Sequence, residues 1–493
     1  MKRVVALILV VLCVLPLATA CSNKKTTTEE PVGSTPSASP SVEESALPSS
    51  PSAPSASVEE EIPYADQDLR QSYGVYNIET LDGKKLSIDN TNKFVLDYKK
   101  EENARFTFHI KERLEDGMKY RYYAIYLGDN ETRNMKISNF LPDKAKLVVE
   151  NDGYNAKDKG LWTVENYEDG SCRLVPMMSH SQMPICLSVL EDGKVGLAAR
   201  DENDKNQLFK ITKAGAHPEY EEFVSDKGEV FIRIPYSFTE RRDGVGLTDE
   251  FMKDWTNWMQ EAVDAEVELT GFRPYDIFII SGWEDLGYVA GVSDNYNFIN
   301  ASKGFMKSEL YNVAQRAKKL NIMDMSFGML HELGHMFDSQ RGWNFESEAW
   351  TDLKLCYVIW KLTEDHKATD GLVFGCASAD YSSGTCFTYE TMAEGLDIHA
   401  HKGAMETVYG FFAAARLFLL MAYDFGWDPF IETFHWFQDN GYTQNDFERW
   451  ERFTTFVDKL SEFSGKDIKK DYLSENNWKV FEDFYTGKTN TAV

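Results

Sequence analysis

The hydrophobic and polar pattern of the chain begins with two segments that predict no folded domain. Residues 4–20 form a run of 17 mostly apolar residues behind Lys2 and Arg3, whereas residues 31–57 contain six Pro, ten Ser and few apolar side chains. An apolar run of that length is short for a membrane-spanning helix and typical of an export signal. A segment with so little to bury predicts a solvated chain. We therefore expect a signal peptide over residues 1–20 and a disordered Pro/Ser-rich tether over residues 21–73.

Between residues 74 and 214 the pattern changes to short alternating runs separated by Asp, Asn and Gly, which predicts β-strands joined by turns. One sequence pattern occurs three times, and each copy ends in an aromatic residue: Phe106, Trp162 and Phe209. The intervals between these residues are 56 residues (106 to 162) and 47 residues (162 to 209). A threefold repeat of this kind predicts an all-β domain with the three aromatic side chains in its core.

From residue 217 onward the apolar positions predict longer elements and a second domain. Strands are expected near residues 230–234 and 276–280. Between them lies a helix with one apolar face, formed by Phe251, Trp255, Trp258, Met259, Ala262 and Val263. Long helices mixed with strands predict an α+β domain over residues 217–493 with a helical C-terminal part.

The net charge of the chain bears on its possible partners. The chain has 52 Lys and Arg against 79 Asp and Glu, a net charge of −27, and no basic block that could neutralise phosphates. This composition argues against nucleic acid as a partner. No apolar run after residue 20 is long enough to span a membrane, so a lipid anchor is the only membrane attachment that the sequence predicts.

The cysteines suggest no thiolate metal site, because none of their spacings is CxxC. Five lie beyond Cys21: Cys172, Cys186, Cys356, Cys376 and Cys386. Two pairs, Cys172 with Cys186 and Cys376 with Cys386, are close enough in sequence to be disulfide candidates, and buried free thiols are the alternative.

Residues 331–335, His-Glu-Leu-Gly-His, carry the clearest chemistry of the chain. Leu330, Leu333 and Phe337 repeat at helical spacing, so the motif is expected on a helix. Side chains four residues apart project from one helix face, so both histidines can bind one metal ion. An ion held by two imidazoles can activate water, and the adjacent Glu332 can take the proton.

A third ligand is available on the next predicted helix. Glu348 and Asp352 are four residues apart, so Glu348 can complete a His/His/Glu zinc site while Asp352 accepts the second ring proton of a ligand histidine. Glu346 is the competing ligand, but it lies on the opposite side of that helix and has no acidic or amide partner four residues on. A purely structural role, as solvated carboxylates in the first helical turn, is the remaining alternative for these acids.

Two resemblances follow from these residues. The third repeat, with Cys186–Val189, Asp192–Leu197 and Asn206–Phe209, is similar to the ricin B-chain type of β-trefoil repeat, which implies a trefoil fold for residues 74–214. Sugar-binding members of that family carry an Asp where this chain has Ser87 and Ser188, so glycan binding by the domain stays open.

The HExxH motif followed by Glu348 resembles the enhancin-like gluzincin peptidases of family M-sixty, many of which act on mucins and other O-glycoproteins. The likeness also includes residues 282–288, 422–427 and 456–461. It implies an α+β zinc metallopeptidase domain with His331, His335 and Glu348 as ligands, Glu332 as general base and a glycoprotein or peptide as substrate. The oxyanion donor stays open among His399, His401, Tyr381 and Tyr389.

Residues 18–21, Ala-Thr-Ala-Cys, resemble a bacterial lipoprotein processing site, which implies that Cys21 carries a lipid and that the protein is anchored at the bacterial cell surface. Ala-Thr-Ala also suits an ordinary secretory cut, after which the protein would be secreted. The sequence therefore predicts an exported zinc endopeptidase that hydrolyses glycoproteins of the mucin type. The alternatives are a glycan-binding adhesin with an inactive peptidase domain and an export-linked structural lipoprotein.

Overall fold

The computed structural model describes residues 74–115, 118–128, 130–151, 158–177, 184–239, 247–284, 290–292, 296–338, 347–377, 386–393, 410–441 and 448–487. The predicted signal peptide, the tether and Cys21 lie outside these residues. No helix among the described segments is long and apolar enough to cross a membrane.

The N-terminal strands are β1 (Gly74–Thr80), β2 (Leu86–Ile88), β3 (Phe94–Leu96), β4 (Phe106–Glu115), β5 (Met118–Leu127), β6 (Asn130–Ile137), β7 (Leu147–Asn151), β8 (Leu161–Asn166), β9 (Cys172–Pro176), β10 (Ile185–Val189), β11 (Val195–Ala199) and β12 (Phe209–Ala216). The later strands are β13 (Tyr220–Val224), β14 (Val230–Pro235), β15 (Phe278–Glu284), β16 (Ala290–Val292), β17 (Phe298–Ser302), β18 (Met323–Asp324), β19 (Phe374–Cys376) and β20 (Phe387–Thr388). The helices are α1 (Tyr236–Thr239), α2 (Asp249–Thr270), α3 (Lys303–Leu320), α4 (Phe327–Asp338), α5 (Ser347–Lys367), α6 (Tyr389–Ala393), α7 (Gly410–Phe425), α8 (Asp428–Asp439), α9 (Arg449–Ser464), α10 (Ile468–Asp471) and α11 (Glu475–Tyr485).

The first twelve strands form a β-trefoil. Strands β1, β4, β5, β8, β9 and β12 pair in a closed ring, while β2 with β3, β6 with β7 and β10 with β11 form three hairpins. Phe106, Trp162 and Phe209 are fully buried in the core of this barrel. The threefold repeat in the sequence is therefore confirmed as a trefoil, and its closing aromatic side chains fill the core as expected.

The α+β region is built on a five-stranded sheet with the order β13, β14, β15, β17, β16. Strands β14, β15 and β17 run parallel, and β16 pairs antiparallel with β17 at the edge. Neighbouring side chains on each inner strand point to opposite faces of the sheet. Ile232 and Ile280 pack with the helices, whereas Phe231, Ile279 and Phe298 join the hydrophobic core of the trefoil.

The trefoil thus forms a third layer on the sheet, and a polar contact fixes its position. Glu112 on β4 is 2 % exposed and accepts the backbone N–H groups of Asp276 at 2.7 Å and Ile277 at 3.0 Å. The same carboxylate pairs with Arg121 at 2.8 Å. The Asn297 side chain accepts the Glu112 N–H and donates to the Ile277 carbonyl. These bonds satisfy buried polar groups of both layers, so the two regions are held as one unit.

The cysteine alternatives are decided in favour of free thiols. Cys172, Cys186, Cys356, Cys376 and Cys386 are all buried and none forms a disulfide. The two disulfide candidates drawn from sequence proximity are therefore wrong, because the fold does not bring the two sulfur atoms of either pair into bonding contact.

Candidate metal centre

Helix α4 carries the HExxH residues, and its start is fixed by a buried acidic side chain. Ser326, directly before the helix, has a φ of 61°, in the left-handed region. Its backbone N–H donates to Asp324 at 2.9 Å, and Asp324 is ion-paired with Arg316 inside the protein. Leu330, Leu333 and Phe337 are buried, so the apolar face predicted from the sequence packs inward. His331 and His335 consequently point to one shared side.

Helix α5 brings Glu348 to the same place. Trp350, two residues further on, is 1 % exposed and packs its ring against Phe418, Phe434 and Phe456 of the C-terminal helices, with ring-centre distances of 4.9, 6.3 and 4.6 Å. The C-terminal helices therefore anchor the first turn of α5, and with it Glu348.

The two helices meet at Gly334, the fourth residue of the motif. A Cβ at this position would lie 3.0 Å from Thr351 Cγ2 and 3.2 Å from Thr351 Cα. A methyl group there would press against the neighbouring backbone, so glycine permits the close approach of α4 and α5. This approach sets the distance between the histidines and Glu348.

The three predicted ligands form the one metal-binding group found among the described residues. His331 Nε2 lies 3.1 Å from His335 Nε2 and 3.2 Å from Glu348 Oε2, and His335 Nε2 lies 3.7 Å from Glu348 Oε1. Two ligand atoms at about 2.05 Å from a tetrahedral ion are about 3.3 Å apart. The three side chains are 13 to 24 % exposed, so a substrate can reach them. Both the spacing and the donor set fit zinc.

Asp352 lies where the sequence predicts it, behind His331. Its Oδ1 is 2.9 Å from His331 Nδ1. Burial alone would lower the pKa of His331, but the hydrogen bonds with Asp352 and Glu348 raise this pKa well above its usual value. Because Asp352 accepts the proton on Nδ1, the Nε2 atom of His331 is left to face Glu348.

Glu332 is 8 % exposed and lies beside the ligands. Burial raises the pKa of its carboxyl group, while His335 and His331 lower it. The carboxylate is also hydrogen-bonded to the backbone of Val292, on the edge strand β16. A carboxylate with a raised pKa is a stronger base, so Glu332 is suited to proton transfer at the metal centre.

A second group of buried polar residues lies behind His335 and was not expected from the sequence. His335 Nδ1 is 3.2 Å from Thr351 Oγ1 and 3.4 Å from Asp338 Oδ2. Lys354, which is fully buried, pairs with Asp338 and donates to the Gly334 carbonyl at 2.6 Å. Asp338 follows His335 by three residues, a spacing that puts both on one helix face, but the sequence does not reveal that this face is buried.

Of the remaining sequence candidates, Tyr389 alone lies in the part of the chain that the structure describes. Glu346, His399, His401 and Tyr381 lie outside the described residues. Tyr389 stacks on Tyr423 with ring centres 4.4 Å apart, and its hydroxyl accepts the indole N–H of Trp427 at 3.1 Å. Its ring also packs on Trp360, which lies 12 residues along α5 from Glu348, or about 18 Å at the helical rise. Tyr389 is therefore a packing residue.

Comparison with solved structures returns trefoil proteins of low identity. A designed threefold symmetric protein, ThreeFoil, is 18 % identical, covers 28 % of this chain and 99 % of its own, and has a TM-score of 0.23. The BEL β-trefoil is 14 % identical and covers 29 % and 94 %, and chicken interleukin-1β is 11 % identical and covers 29 % and 96 %, both with a TM-score of 0.23. The trefoil assignment rests on the strand order. Curated protein sequences give no match.

The family comparison concerns the other part of the chain. The model of the family "Peptidase M60, enhancin and enhancin-like" matches residues 225–473, which is half of the chain. The matched region contains the five-stranded sheet from β14 onward, both helices of the candidate metal centre and most of the C-terminal helices. The resemblance to the enhancin-like peptidases of family M-sixty is thereby confirmed, and the chain belongs to the peptidase M60, enhancin and enhancin-like family of metallopeptidases.

Proposed function

We propose that the protein is a zinc-dependent endopeptidase of the gluzincin type, with His331, His335 and Glu348 as metal ligands and Glu332 as catalytic base. One observation carries this proposal. Two imidazole nitrogens and a carboxylate oxygen converge at separations of 3.1 to 3.7 Å, with a buried second carboxylate one residue from the first ligand. This set of donors, partly open to solvent, matches a catalytic zinc site with room for substrate.

The chain's own residues provide the proton transfers of peptide hydrolysis. Zinc, when bound, supplies a Lewis acid that polarises the scissile carbonyl group and makes water more acidic. Glu332 takes the proton of the attacking water and delivers it to the amine that leaves. Asp352 keeps the Nδ1 proton on His331, which preserves the orientation of that ring throughout the reaction.

For the substrate we propose a glycoprotein, with mucin-type O-glycoproteins as the class that family membership favours. The protein acts outside the cell, because residues 1–20 have the form of an export signal. Cys21 carries a lipid in this proposal, and the Pro/Ser-rich tether holds the folded part away from the membrane surface. In the trefoil, the buried Ser87 and Ser188 stand where sugar-binding members of the ricin type have Asp.

The test is cleavage of an O-glycosylated mucin and of its deglycosylated form by residues 22–493, with bound zinc measured in parallel. Glu332→Gln is the matched variant, because Gln preserves the side-chain shape and removes the base without removing a ligand. We expect one zinc per chain in both proteins and a rate at least about 100-fold lower in the variant. Equal cleavage by wild type and Glu332→Gln would refute the catalytic assignment, and absence of bound zinc would refute the metal centre and favour the adhesin.

A further inference from the structure

The direction of each hydrogen bond behind His335 follows from the donor and acceptor atoms of Thr351 and Asp338. A threonine hydroxyl has one hydrogen to donate and two lone pairs, whereas an ionised carboxylate only accepts. Thr351 Oγ1 lies 3.0 Å from Asp338 Oδ2, so its hydrogen points to Asp338. The lone pairs of the same hydroxyl then face His335 Nδ1, at 3.2 Å.

These hydrogen-bond directions place a ring hydrogen of His335 on Nδ1. Both polar neighbours of Nδ1, the Thr351 hydroxyl and the Asp338 carboxylate, accept hydrogen bonds, so Nδ1 must carry the hydrogen. In the neutral tautomer with its hydrogen on Nδ1, Nε2 offers a lone pair, and this atom faces Glu348. We infer that Thr351 is a positioning residue for His335, and that the buried ion pair of Asp338 and Lys354 orients the Thr351 hydroxyl.

The polar side chains behind His335 are buried, so each of them depends on the others for its hydrogen bonds. Thr351 and Lys354 are fully buried and Asp338 is 3 % exposed. Hydroxyl and carboxylate groups that water cannot reach depend on one another for hydrogen bonds. Lys354 binds Asp338 and also the carbonyl of Gly334, the residue before His335, so it ties α5 to the ligand-bearing turn of α4. The two ligand histidines therefore have different supports: the nearest partner of His331 Nδ1 is an acid, Asp352, at 2.9 Å, whereas the nearest partner of His335 Nδ1 is the Thr351 hydroxyl at 3.2 Å, with Asp338 at 3.4 Å.

The inference rests on the proposed function, since it concerns affinity for zinc at the proposed ligands. Loss of a hydrogen-bond partner behind a ligand histidine typically lowers metal affinity about 10- to 100-fold. Thr351→Val removes the hydroxyl and keeps the shape, while Thr351→Ser keeps the hydroxyl. Thr363 supplies a matched control, because it is also a buried threonine of α5 and accepts the Phe374 N–H at 3.1 Å, far from the histidines.

The experiment measures zinc affinity by chelator competition for residues 22–493 as wild type, Thr351→Val, Thr351→Ser and Thr363→Val, with urea unfolding of the zinc-free proteins alongside. We expect Thr351→Val to bind zinc about 10- to 100-fold more weakly. Thr351→Ser should restore the affinity to within about threefold, and Thr363→Val should lose stability without losing affinity.

Two results would overturn the inference while leaving the peptidase intact. One is an unchanged zinc affinity in Thr351→Val, and the other is an equal loss of affinity in Thr363→Val, which would reveal a general effect of destabilising α5. Failure of the proposed function gives a different result, because the wild type itself would then bind no zinc, and both proposals would fall together.

Discussion

Glu266 ties the stability of the protein to pH, and a single substitution tests this link. The residue lies on α2 and is fully buried, and neither carboxyl oxygen has a hydrogen-bond partner in the described part of the chain. Burial raises its pKa from 4.5 to about 8, with Lys354 lowering and Asp338 further raising it. The folded protein therefore keeps a proton on Glu266 at pH values where the unfolded chain releases it.

The sign and size of the effect follow from proton linkage. A pKa that is higher in the folded state contributes stability below the unfolded pKa of 4.5, and this contribution is lost as pH rises through the folded pKa of about 8. For these two values the contribution falls by about 3.5 kcal/mol between about pH 5 and about pH 8. Glutamine at position 266 has no proton to release, so it removes this part of the pH dependence.

The assay is urea unfolding of zinc-free wild type and Glu266→Gln at several pH values. We expect the stability of the variant relative to wild type to rise by about 3.5 kcal/mol across that pH range. Glu250→Gln, at an exposed position in the first turn of the same helix, is the control and should follow wild type. Parallel curves for wild type and Glu266→Gln, within about 0.5 kcal/mol, would refute the buried neutral acid.

Three further predictions concern the contact of α4 with α5 at Gly334, the contact of the trefoil with the sheet at Glu112, here called the layer contact, and Asp352 behind the ligand His331. Gly334→Ala should cost about 1 to 3 kcal/mol of unfolding free energy and weaken zinc binding, because the new Cβ presses on Thr351; unchanged zinc affinity would contradict this. Glu112→Ala should cost about 3 kcal/mol in urea unfolding, since it leaves buried donors without an acceptor, whereas Glu101→Ala, at a side chain 73 % exposed, should cost under about 0.5 kcal/mol; equal costs would contradict the layer contact. Asp352→Ala should weaken zinc binding about 10- to 100-fold by chelator competition, and an unaltered affinity would contradict its role behind His331.

Periodicity was sufficient to predict which side chains converge, because their spacing follows the helix repeat. His331 and His335 share a face through their spacing alone, and Glu348 with Asp352 repeats that spacing on the next helix. The structure brings His331, His335 and Glu348 together and places Asp352 behind His331. The trefoil could be predicted for a related reason, since its core aromatic side chains recur once per repeat.

The contacts between elements could not be predicted in this way. Asp338, Lys354 and Glu266 have ionisable side chains, and such residues in helices usually face solvent. Only the packing of α2, α4 and α5 shows that these three are inside. One signal for the layer contact was available in the sequence: residues 230–234 are apolar on both faces apart from Arg233, a pattern typical of a strand covered on both sides.

The layered arrangement bears on the choice between peptidase and adhesin. An adhesin needs only the trefoil, yet the core of this trefoil includes Phe231, Ile279 and Phe298 from the peptidase sheet. The same sheet ends in β16, where the backbone of Val292 contacts the catalytic candidate Glu332. One sheet therefore contributes to the trefoil core with its face and to the metal centre with its edge. Because the trefoil is packed on this sheet, any ligand it binds would be held in a fixed position relative to Glu332, as substrate positioning by a peptidase requires.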